Sequence, residues 1–84
     1  MSILRSSDPM ERIIEKALIS IGEIYQVGHE NEHDLDFYLP YRDIYIEVKQ
    51  FHSDRISKQT AKVDNIIVLQ GVKACELFAA LIGK

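Results

Sequence analysis

Asp36, together with Glu47 and Lys49 in the run Glu47-Val48-Lys49, has the residue types and spacing that metal-assisted phosphodiester hydrolysis uses. That chemistry needs carboxylates to hold a divalent cation and a basic group beside the attacking water. Alternation along residues 43–50 predicts a strand with Glu47, Lys49 and Tyr45 on one face and Ile44, Ile46 and Val48 on the other. Residues 35–39 alternate as well, with Leu35, Phe37 and Leu39 on one face and Asp36 and Tyr38 opposite. Pairing across the Pro40-Tyr41-Arg42 turn then sets Asp36 directly against Glu47. Two facing carboxylates repel unless a cation lies between them. Mg2+, replaceable by Mn2+, resolves that repulsion, with Asp36 and Glu47 as expected ligands and the Val48 carbonyl as a third. Lys49 would orient or help deprotonate the water and stabilise charge on a phosphate. The competing explanation is a solvated Glu-x-Lys pair on an exposed sheet face. Asp34 competes as a ligand from the strand entrance, and Asp43 belongs to the turn.

Several other side chains could complete such a site. Glu11 falls at the edge of a helical apolar stripe, whereas Glu15 is expected further outward. Asp8-x-x-Glu11 also has capping-box spacing, so Glu11 can cap its helix, reach the site, or do both. Gln59 shares a helix face with Ile56, Thr60 and Val63, where a long amide needs a hydrogen-bond partner. A site group or a local backbone bond would satisfy it. His29 and His33 have no further ligand nearby and read as part of a polar loop rather than a zinc site. Tyr38 and Tyr45 share the proposed site face, as packing groups or as surfaces for a base.

The elements that must position these residues follow from local signals. Asp8 at the N-cap and Pro9 at the first helical position open a helix carrying Met10, Ile13, Ile14, Ala17, Leu18 and Ile21, and Gly22 closes it. Residues 23–28 read as a strand, and 29–34 as a polar turn. After the hairpin, a short helix spans about 54–63, the apolar strand Ile66–Leu69 is expected to be covered on both faces, and a final helix spans 72–82. The order α-β-β-β-α-β-α implies a three-stranded antiparallel meander plus one parallel strand reached by a right-handed crossover, an α/β fold with a mixed central sheet. The last helix is apolar beyond one stripe, from Val72 to Ile82, which predicts a homodimer burying the excess.

The chain has 84 residues, 46% of them hydrophobic and 27% charged, which predicts one unit over residues 1–84. A chain of this size buries only roughly 60–65% of its unfolded surface, so a second subunit would help it. No apolar run approaches the roughly 18 residues needed to span a bilayer, and no leader pattern is seen. The single cysteine, Cys75, lies in an apolar helical pattern and suits a reducing, cytoplasmic setting. A net charge of −3 argues against a simple nucleic-acid coat, though bound cations and a basic strip at Arg55, Lys58 and Lys62 offset that objection.

With these residues in place, the chain resembles the PD-(D/E)XK nuclease superfamily, whose restriction-endonuclease-like core has the order α-β-β-β-α-β, here with an added C-terminal helix. Within it the chain is most similar to stand-alone VRR-NUC domains of phages and bacteria. That resemblance rests on Glu11, Asn31-Glu32, Asp36, Glu47-Val48-Lys49 and Ser57-Lys58-Gln59. Holliday-junction resolvases are similar in the same places, including a first-helix glutamate followed by a glycine, here Glu11 and Gly22. The resemblance implies a divalent-metal-dependent endonuclease in which Asp36 and Glu47 bind metal, Lys49 serves the water, and Glu11 and Gln59 complete the site. It departs from the pattern at Leu35, where a proline is expected, and in a loop poor in glycine. The implied substrate is branched DNA such as a Holliday junction, cut by a homodimer. Flap, nicking or restriction-type cutting and an inactive DNA-binding module are the alternatives.

Overall fold

The computed structural model describes residues 4–49 and 63–83. Its elements are α1 (Pro9–Ser20), β1 (Gln26–Val27), a 3-10 turn (Gly28–Glu30), β2 (Phe37–Leu39), β3 (Ile44–Lys49), β4 (Ile66–Gln70) and α2 (Val72–Ile82). The sheet order is β1-β2-β3-β4, with β1–β2 and β2–β3 antiparallel and β3–β4 parallel. The mixed sheet expected from the sequence is therefore present. The predicted crossover helix at 54–63, with Gln59 and the basic strip, lies outside the described residues apart from Val63.

Helix α1 begins where predicted. The Asp8 carboxylate accepts the Met10 and Glu11 N–H groups at 2.8 and 3.1 Å, and Pro9 occupies the first turn. It ends in a Schellman arrangement, with Gly22 N–H on the Ile19 carbonyl and Glu23 N–H on that of Leu18. Gly22 takes φ +72°, which a side chain would resist. Met10, Ile14, Ala17 and Leu18 are buried, the first, second and fourth packing with Phe37, Leu39, Ile46, Val48, Leu69 and Cys75 in one core between sheet and helices. Burial pushes the Cys75 thiol pKa up, as suits a packing cysteine.

Three expectations need correction. β1 is two residues long rather than 23–28. Leu35 does not share the Phe37–Leu39 face; it packs with Tyr45 and Val63 on the other side of the sheet. The reason is local: Asp34 takes φ +53°, and the Asn31 amide holds the Leu35 backbone in place of a strand partner. β4 is not covered on both faces, since Val68 is 44% exposed. Helix α2 packs one face through Ala74, Cys75, Phe78 and Ile82, and Leu77 and Leu81 are about 60% exposed, the apolar surface beyond one stripe that the sequence expects. Among the described residues, no helix is long and apolar enough to cross a membrane.

Candidate active site at the open end of the hairpin

The β2–β3 register pairs Phe37 with Ile46, Tyr38 with Tyr45 and Leu39 with Ile44. One step further along the same register, Asp36 meets Glu47. Backbone pairing stops there, and side chains take over. The Val48 N–H donates to Asp36 Oδ2 at 2.7 Å, and the Asp36 N–H donates to Glu47 Oε1 at 3.2 Å. The two carboxylates thus lock the end of the hairpin. At Val48, the atom engaged is its amide nitrogen, on Asp36.

Lys49 extends from the same strand. Its Nζ lies 3.4 Å from Glu47 Oε2, with its side chain 30% exposed while Glu47 is buried. The end of β3 is held from the other side, where the Gly71 N–H donates to the Lys49 carbonyl at 2.8 Å. A buried carboxylate with a solvent-reachable ammonium beside it is the arrangement expected from Glu47-Val48-Lys49.

The helix layer adds Glu11. Its carboxyl pKa is pushed up to about 7 by burial and by the charge of Asp36, with Lys49 opposing. Asp36 is also pushed up to about 7, by burial and by its hydrogen-bonded neighbour Glu47. Glu11 therefore feels Asp36 and Lys49, while Asp36, Glu47 and Lys49 are joined directly at the open end of the hairpin. Of the capping box, only the Asp8 half forms; no bond from the Asp8 N–H to Glu11 is seen among the described residues.

An open cleft leads to Asp36. Arg5, Ser6, Glu11, His29, Asp34 and Asp36 are among its lining residues. Its floor is tight, since a Cβ on Gly28 would come within 3.1 Å of Asp34 Oδ1. His33 packs edge-on against Tyr45, and Tyr45 lies 4.4 Å from Tyr38 between ring centres, so both tyrosines act in packing. Among the described residues, no three His, Cys, Asp or Glu side chains form a ready metal cage. The donor set still fits Mg2+, which keeps several waters and takes one or two carboxylates together with substrate phosphate oxygens.

Two groups have positioning roles that residue spacing does not show. Asn31 bridges the Val27 and Leu35 carbonyls at 3.0 and 2.9 Å, fixing the loop that delivers Asp36. Glu15, expected to face outward, is fully buried: it accepts the Arg5 and Ser6 N–H groups and the Tyr25 hydroxyl. The chain before Asp8 folds back over α1 and covers it, which helical periodicity within α1 cannot reveal.

The raised carboxyls make stability depend on pH. Asp36 and Glu11 both hold protons more tightly folded than unfolded. The unfolded chain therefore releases its protons first, and stability falls as pH rises from the ordinary carboxylate range to about 7, then levels off. Metal-free melting curves should show a lower Tm at pH 8 than at pH 5. An equal or higher Tm at pH 8 would contradict the raised pKa values of these two groups.

Compared with family models, curated proteins and solved structures, the chain matches none of them.

Proposed function

We propose that this protein is a divalent-metal-dependent DNA endonuclease of the PD-(D/E)XK type, organised like a VRR-NUC domain, acting in the cytoplasm on branched DNA such as Holliday junctions. The observation that carries this reading is the locked pair Asp36–Glu47 with Lys49 Nζ 3.4 Å from Glu47. The described order of elements, α1, three antiparallel strands, a parallel fourth strand and α2, is compatible with a restriction-endonuclease-like core.

Asp36 and Glu47 would hold the cation, with Glu11 facing them from the helix layer. When bound, the cation supplies Lewis-acid polarisation of the phosphate and a more acidic water. Lys49 presents its ammonium at the solvent-facing edge, where it orients the attacking water and offsets charge gathering on the phosphate oxygens. Glu11 would add a third carboxylate toward the cation or accept a hydrogen bond from one of its waters, and the proton that the attacking water gives up leaves through solvent to the departing sugar oxygen. The P–O bond to the leaving sugar oxygen breaks as the water oxygen bonds to phosphorus.

Junction cutting calls for two sites, and the Leu77 and Leu81 face of α2 offers apolar surface for a second copy. With Mg2+ or Mn2+, the protein should cut a labelled four-way junction at least about tenfold faster than the matching linear duplex, and light scattering should show a dimer. Equal rates on both substrates would remove the junction preference, and a monomer at micromolar concentration would remove paired incision.

A further inference from the structure

The group that the proposed chemistry leaves unused is Glu15. It is fully buried, one helical turn beyond Glu11. Its Oε1 accepts the Arg5 and Ser6 N–H groups at 2.9 and 3.0 Å, and its Oε2 accepts the Arg5 N–H at 3.0 Å and the Tyr25 hydroxyl at 2.5 Å. Apart from Tyr25, every one of these donors belongs to the segment preceding α1. The same segment is tied a second time, by Arg5 Nη2 to Glu30 at 2.8 Å, and Glu30 in turn accepts the Val27 N–H. Arg5, Ser6 and Ser7 line the cleft that holds Glu11 and Asp36.

A buried carboxylate is a poor choice for stability alone, because an apolar side chain of similar volume often serves as well. What this carboxylate fixes is the place of the arm. The other cleft groups Glu11, Asp34 and Asp36 are acidic and would repel a nucleic-acid strand. The arm supplies the opposite chemistry: serine hydroxyls and a half-exposed guanidinium, the groups that hold sugar–phosphate backbone.

We propose that Glu15 is a positioning residue that fixes the N-terminal arm, Arg5 to Ser7, as a wall of the cleft, where the arm binds the DNA backbone beside the scissile phosphate. The proposal rests on the nuclease reading above. It predicts a split in which binding depends on Glu15 and the chemical step does not.

The test compares the wild type with Glu15→Leu. Its readouts are KM and kcat for junction cutting in Mg2+, Kd for the same DNA without divalent ions by fluorescence anisotropy, and amide hydrogen exchange at Arg5 and Ser6. Leucine fills much of the same space but offers the arm's N–H donors and the Tyr25 hydroxyl no acceptor, so the arm should detach. Exchange at the two amides should speed up by at least about tenfold, KM and Kd should rise by about tenfold, and kcat should stay within about threefold. Tyr25→Phe removes the one Glu15 donor outside the arm and leaves the arm's own residues untouched, and the same split, at about threefold, is expected from it if Glu15→Leu does not fold. Faster exchange with unchanged KM and Kd would overturn the proposal, as would a fall in kcat at constant KM. A wild type that binds no DNA would overturn the nuclease reading as well, whereas a wild type that binds and cuts no better than its variants overturns the arm alone.

Discussion

Replacing Lys49 with alanine, or Asp36 with asparagine, lowers DNA cleavage by at least about 10²–10³-fold while the protein stays folded. The size follows from removing a group aimed at charge that builds up during the reaction. Stability responds differently, because neither residue holds the core together. Lys49 has one ionic partner among the described residues, the buried Glu47, and its loss costs about 1–3 kcal/mol, less than the stability of a typical domain. An asparagine in place of Asp36 would keep an oxygen for the Val48 N–H. It would also replace a carboxylate pressed against Glu47 with an amide able to donate to it. The Tm of Asp36→Asn at pH 8 should therefore equal or exceed that of the wild type. Initial rates and melting curves in one buffer check both halves. Either variant cutting at more than a tenth of the wild-type rate would refute the assignment of the site.

Glu15→Ala should be the most damaging single change to stability outside the apolar core, at about 3 kcal/mol. Alanine leaves the Arg5 and Ser6 N–H groups and the Tyr25 hydroxyl without their acceptor and opens a void where a fully buried side chain stood. For a domain of this size, about 3 kcal/mol lowers Tm by roughly 12–24 °C. The loss should also depend on pH. Burial alone would raise the Glu15 pKa, but the bonds from Tyr25, Arg5 and Ser6 outweigh it and hold the carboxyl below its ordinary value. Its contribution is thus complete above the ordinary glutamate range and fades as pH falls through the native value. The Tm gap between wild type and Glu15→Ala should be wide at pH 7 and narrow in acid. A Tm within about 3 °C of wild type at pH 7 would show that the arm is not anchored there.

The hairpin and its site were legible because both depend on short-range rules. Period-two alternation and the Pro40 turn fix which residues of β2 and β3 meet, so the Asp36–Glu47 opposition followed from the turn alone. The start and end of α1 were legible for a similar reason: Asp8, Pro9 and Gly22 each have one job at a helix end. What failed depended on contacts that no local pattern holds. Glu15 is buried by the arm, a contact that helical periodicity cannot contain. Leu35 left its expected face because Asn31 captures the backbone beside it, a side-chain bond no alternation pattern encodes. β4 looked like a strand covered on both sides because its apolar run is continuous, yet Val68 remains half open. Gln59 lies outside the described residues, so its place rests on the sequence.

If Asp36, Glu47 and Lys49 form a metal-dependent phosphodiesterase site, cleavage must need both the cation and the lysine. The decisive measurement incubates wild-type protein and Lys49→Ala with end-labelled junction DNA, each with Mg2+ and with excess EDTA. Product is expected only from the wild type with Mg2+. Product in EDTA, equal product from Lys49→Ala, or none from the wild type with either Mg2+ or Mn2+ would contradict such a site.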